Sequence, residues 1–149
     1  MKNNMLKFEQ TSCQVAPTGY SAADYDPVGS PAIEVVDCKK LVFPLNVYAY
    51  VLLVENGQLD ALHYGLFEQD NTTALQAQRQ ATELLLSRIS DTTKQILEVG
   101  IGLGTTFMRL CQQGYQVHGI TPDAAQISIF HKIFGENLSV SCQRFEDFK

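Results

Sequence analysis

The sequence is short of basic charge. Eleven Lys and Arg stand against 16 Asp and Glu in 149 residues, a formal net charge of −5. Lys39-Lys40 is the only Lys/Arg pair. A sequence-independent grip on nucleic-acid phosphates needs clustered cations, so nucleic acid is not an expected partner. Long apolar runs are missing too. The richest stretch, 41–55, is too short to cross a bilayer and is interrupted by Pro44 and Asn46, so no stable membrane insertion is expected. Met1 to Gln10 has no apolar core of the kind a secretory signal needs. Cys13, Cys38, Cys111 and Cys142 lie far apart, with no CxxC or Cys/His ligand spacing. No metal site is expected, and the cysteines read as reduced thiols of a cytoplasmic protein. Repeats and low-complexity tracts are absent.

What is present fits one globular domain. The chain is 45% hydrophobic and 18% charged, and its length allows a real core. Residues 1 to about 30 read as irregular, broken by Pro17, Gly19, Pro27, Gly29 and Pro31. Leu45 to Glu55 reads as a buried helix stopped by Asn56-Gly57, although its β-branched and aromatic content also permits a strand. His63 to Phe67 is a short aromatic loop. Thr72 or Thr73 caps a helix reaching about Ile89, with Leu75, Thr82, Leu85, Leu86 and Ile89 inward.

From there strands and helices alternate. Gln95–Val99, Gln116–Ile120 and Leu138–Gln143 read as strands, Thr105–Gln113 and Asp123–Phe134 as helices. A β-α-β-α-β order implies a parallel sheet with right-handed crossovers. The expected division is an N-terminal arm and helix over 1–59 and an α/β unit over 60–149.

The segment Leu97-Glu98-Val99-Gly100-Ile101-Gly102-Leu103-Gly104 joins the first strand to its helix. Its glycines let the chain bend sharply and leave no Cβ between backbone and ligand. The free N–H groups of the following helix favour an anionic group. A nucleotide-like cofactor therefore belongs at the carboxyl edge of this sheet. The dinucleotide fingerprint G-x-G-x-x-G would need a third glycine at position 105, which is Thr105. No phosphate-loop pattern occurs either.

Glu98-Val99-Gly100-Ile101-Gly102-Leu103-Gly104 resembles motif I of the class I S-adenosylmethionine (SAM)-dependent methyltransferases, (E/D)-x-G-x-G-x-G. The resemblance implies a Rossmann-like three-layer fold, with SAM as cofactor held by Glu98, Gly100, Gly102 and Gly104. Gly119-Ile120-Thr121-Pro122-Asp123-Ala124-Ala125-Gln126 is similar to the G-[IV]-T-x-S-x-x-Q segment of the cyclopropane fatty acid synthase-like and small-molecule branch. It implies Thr121 and Gln126 near the ribose. Asp123 reads first as a helix cap. Leu62-His63-Tyr64-Gly65-Leu66-Phe67-Glu68 resembles the (H/Y)-Y-G-x-[WF] segment before the core of the same enzymes, which implies Tyr64 and Gly65 at the cofactor, against ordinary aromatic packing as the alternative. An acidic residue often follows the third strand in that family. Here the place falls near Arg144-Phe145, so Phe145 is the candidate at the adenine. His118 and His131 read as structural; His63 alone lies beside the expected cofactor site.

The resemblance covers about residues 60–149 and supplies three strands of a sheet that normally has seven. The expectation is a fragment whose unpaired sheet edge is covered by the N-terminal residues, by further chain, or by a partner, a homo-oligomer included. The expected reaction is methyl transfer to a small-molecule or lipid acceptor. The rivals are a non-catalytic interaction module and, against Thr105, a dinucleotide-dependent oxidoreductase. No catalytic residue is identifiable.

Overall fold

The computed structural model describes residues 35–68 and 73–149. The irregular segment expected over 1–30, Cys13 and the candidate cap Thr72 lie outside them. Three helices come first: α1 (Val35–Cys38), α2 (Leu45–Asn56) and α3 (Ala74–Leu86). Then β1 (Gln95–Val99), α4 (Thr105–Gln112), β2 (Gln116–Thr121), α5 (Ala124–Phe134) and β3 (Val140–Cys142) alternate, and a 3-10 turn follows at Phe145–Asp147.

The strands form a parallel sheet in the order β1-β2-β3. Leu97 pairs with His118 and Gly119 with Val140. The α/β expectation, three parallel strands with helices after a helical N-terminal segment, is met. Parallel neighbours need a crossover, and α4 and α5 supply the two. The third strand is shorter than the expected 138–143.

The sequence at α4 explains its docking. Phe107, Met108, Leu110 and Cys111 fall on one face and are buried. They meet Val117 of β2, Phe130 and Phe134 of α5, and Leu86 of α3 in one core. Phe107 and Phe130 pack edge to face, with centroids 5.2 Å apart. Gly119 lets this layer close on the sheet, because a Cβ there would stand 2.5 Å from Ile101 Cγ2.

A second core joins the N-terminal helices to the α/β unit. Cys38, Leu41, Ala49, Leu52 and Leu59 pack with Leu103 of the glycine segment and Ile129 of α5. Buried Asp37 adds an ion pair to Lys132 of α5 at 2.7 Å. The open choice at 45–55 resolves as helix, ending at Gly57, whose φ of 71° suits glycine and whose N–H donates to Leu53 O. It is not the buried helix expected: only Ala49 and Leu52 are buried, and Val47, Tyr50, Val51 and Val54 are exposed.

Thr73 caps α3 as expected, accepting from Gln76 N–H. Its inner face differs from the expected one. Ala77, Gln78, Thr82 and Leu86 are buried, whereas Leu85 is 53% exposed. The reason is Gln78. Its Nε2 donates to Ala61 O (3.3 Å) and His63 O (2.7 Å), carbonyls with no strand or helix to satisfy them. A polar residue therefore occupies the inner face.

Leu85 instead borders a groove of about 810 Å³ along the open edge of β1. Among the described residues no strand pairs with that edge. None of their helices is long and apolar enough to cross a membrane.

Candidate functional site

The chain leaves β1 and turns at once. Gly100, Gly102 and Gly104 have φ of 80°, 55° and 89°, a left-handed conformation at alternate residues that L side chains rarely adopt. Gly100 N–H donates to Ile120 O (2.7 Å) and Gly104 N–H to Ile101 O (2.8 Å), which closes the turn. The three glycines then differ. A Cβ on Gly100 would meet nothing within 4 Å, and on Gly102 only Leu62 Cβ at 3.7 Å. Both line an open cleft. Gly104 faces away from it, against α5, and caps α4 without any side-chain hydrogen bond.

The cleft measures about 350 Å³. Its floor is the glycine turn with Thr105 and Thr106, the first residues of α4. Its second wall is the β2–α5 junction at Thr121, Pro122, Asp123 and Gln126. Ala61, Leu62 and His63, with Val42 and Leu45, complete its lining.

The covering segment is fixed at several points. Thr105 Oγ1 donates to Asp60 O, and the Asp60 carboxylate pairs with Arg79 at 3.0 Å. His63 O accepts from Gln78 and from the Tyr48 hydroxyl. The His63 ring hydrogen-bonds Tyr64 O (2.8 Å) and Thr82 Oγ1 (3.2 Å). Thr105, the residue that breaks the dinucleotide fingerprint, thus uses a hydroxyl that glycine lacks.

The β2–α5 wall is a closed polar network. Thr121 Oγ1 donates to Gln126 Oε1 (3.1 Å) and accepts from Asp123 N–H (3.3 Å). Gln126 Nε2 donates to Asp123 Oδ2 (3.5 Å). Asp123 caps α5 through Ala125 N–H (2.9 Å) and also accepts from Val42 N–H (3.3 Å). The capping reading of Asp123 holds, and the same carboxylate edges the cleft.

Glu98 lacks the partners that this wall has. It borders both the cleft and the groove beside β1. Its Oε2 is buried and has no hydrogen-bond partner. Desolvation pushes its carboxyl from the ordinary 4.5 up to about 8.

The structure brings together Glu98, Gly100, Gly102, Thr121 and Gln126, five of the nine residues the sequence singled out. The other four do not line the cleft. Tyr64 is 83% exposed, its ring tilted against Tyr48 at 5.5 Å. Gly65 packs on α3, where a Cβ would stand 2.4 Å from Ala77 Cβ. Phe145 is exposed on the 3-10 turn. Gly104 serves the α4–α5 contact. Sequence reasoning did not find Val42, Leu45, Ala61 and Leu62. They are ordinary apolar residues placed by contacts far along the chain, and no local pattern marks them. His118 bridges Ser139 and Ser141, and His131 bonds Gly135 O, so both are structural. Burial holds the His118 imidazole below its ordinary range. Among the described residues no three His, Cys, Asp or Glu gather as a metal site.

No protein-family model and no curated protein matches the chain. Solved structures do. It is similar to the cyclopropane synthase MmaA2 from Mycobacterium tuberculosis, at TM-score 0.53 and 23% identity, over 80% of this chain and 43% of that one. It is also similar to mycolic acid cyclopropane synthase CmaA1 complexed with SAH and CTAB, at TM-score 0.50 and 23% identity, over 78% of this chain and 38% of that one. The chain spans less than half the length of either. The described residues build the glycine-turn half of a Rossmann-like methyltransferase fold.

Proposed function

We propose that the cleft is a SAM site and that the chain is the SAM-binding half of a methyltransferase acting on a small-molecule or lipid acceptor. One observation carries the reading. Half-buried Glu98, whose Oε2 is buried without a partner, lies beside a glycine turn whose Gly100 and Gly102 leave room for a ligand against the backbone. The donor set fits SAM. Glu98 takes the amino group. The N–H groups at the start of α4, which carry no side-chain cap, suit the carboxylate. Thr121, Asp123 and Gln126 offer oxygens and an amide to the ribose hydroxyls. Gly65 and Gly104 support the site through packing.

SAM supplies a methyl group on a positively charged sulfur, so the protein's task is alignment rather than activation. Ala61–His63 and the apolar Val42 and Leu45 would flank the donor. The lipid arm of the acceptor reading draws on the cyclopropane synthases that share the fold. The open β1 edge favours a second reading, a non-catalytic module that docks another polypeptide there.

Thermal denaturation tests the primary reading. S-adenosylhomocysteine should raise the Tm of the wild type and leave that of Gly102→Asp unmoved. An aspartate tolerates the left-handed φ but puts a carboxylate into the cleft. A wild-type Tm indifferent to saturating ligand contradicts the SAM reading and leaves the module.

A further inference from the structure

Among the described residues that line the cleft, Glu98 is the one with a buried side-chain polar atom that has no partner. Burial without a partner disfavours the carboxylate, and water cannot reach Oε2 to compensate. The neighbours do not repair this. From the segment before α3, His63 shares both cavities with Glu98, but its ring nitrogens are engaged by Tyr64 O and Thr82 Oγ1. From the end of α3, Arg88 lines only the outer groove and is exposed, where solvent screens it. From the α5 cap, Asp123 adds a like charge. From α4, the cavity residues Thr105, Thr106 and Leu110 carry no charge, and from β2 the residue in register with Glu98 is Gly119. In the free chain this burial favours the neutral carboxyl over the carboxylate, in the direction of the upward displacement already described.

We propose that this site binds the ammonium end of its ligand by proton exchange: Glu98 enters the complex as a carboxylate and its proton leaves to solvent. The inference rests on the SAM reading and adds a linkage to it. The balance is simple. A neutral carboxyl plus an alkylammonium becomes a carboxylate–ammonium pair plus one released proton. The ion pair repays the desolvation that kept the carboxyl neutral. Affinity then rises with pH, by about tenfold per unit between pH 6 and 7, and saturates once the free chain is itself ionised.

The test is calorimetric titration of the wild-type chain with S-adenosylhomocysteine at pH 7, in buffers of different ionisation enthalpy, with 5′-methylthioadenosine, which lacks the amino-acid end, as comparison. The expected result is close to one proton released with S-adenosylhomocysteine and none with methylthioadenosine. Glu98→Gln should bind more weakly, with no proton release and no pH dependence. Binding without proton exchange overturns the inference and spares the SAM site. Equal release with both ligands also overturns it, since the proton then comes from elsewhere. Absence of binding by either ligand overturns the SAM reading and this inference with it. The two-ligand comparison decides the matter in the wild type even if Glu98→Gln does not fold.

Discussion

A Cβ on Gly104 would stand 2.3 Å from Phe130 Cδ2 and 2.5 Å from Phe130 Cε2. The last glycine of the turn is therefore a helix-packing residue: it lets α4 begin directly against the face of α5. Gly104→Ala should destabilise the chain by roughly 2–5 kcal/mol, the sum of a left-handed backbone penalty and overpacking of the Phe130 ring. Gly57→Ala is the control. That glycine has φ 71° with nothing within 4 Å, so only the backbone term of about 1–2 kcal/mol applies. Urea unfolding of the two variants separates the terms, and equal losses would contradict the packing role.

Glu98 should give stability a distinctive pH slope. Its folded value of about 8 lies above the ordinary 4.5. Between those limits the folded chain keeps a proton that the unfolded chain has lost. The associated stability is complete below pH 4.5 and drains away as pH rises towards 8. The slope approaches roughly 1.4 kcal/mol per pH unit at most. Glu98→Gln should flatten it and be the more stable form at pH 8. Parallel stability–pH curves for the two proteins would contradict the buried, unpartnered carboxyl.

The β2–α5 wall should respond to single deletions according to its hydrogen bonds. Thr121 is 2% exposed, so Thr121→Val leaves the buried Gln126 and Asp123 groups short of partners at a cost of about 1–3 kcal/mol. Asp123→Ala removes the α5 cap and the link to Val42, for about 1–2 kcal/mol. Chemical denaturation of each variant supplies the check. Losses under about 0.5 kcal/mol in both would mean that the network is not formed in solution.

The parts of this architecture that the sequence expressed were those governed by near neighbours. Gln95–Val99 is short, with Ile96, Leu97 and Val99 apolar, Gly100 to Gly104 alternate glycine with apolar residues, and Asp123 precedes a helical apolar face. Each pattern is complete within a few positions, and each element formed where expected. Leu85 went astray because the inner face of α3 is set by Gln78, whose value depends on carbonyls 15 and 17 residues upstream. Tyr64 had the motif of a cofactor residue, yet the close fit of Gly65 to Ala77 docks the backbone there while the Tyr64 ring stays in solvent. The sides and cover of the cleft were invisible for the same reason: Val42 reaches Asp123 across 81 positions of sequence.

Direct calorimetric titration of the chain with SAM, beside NAD under the same conditions, tests the central claim that the glycine turn and Glu98 form a SAM site. Saturable one-to-one binding of SAM, with no heat from NAD, is the expected result. A folded chain that takes up NAD, or neither ligand, would contradict it.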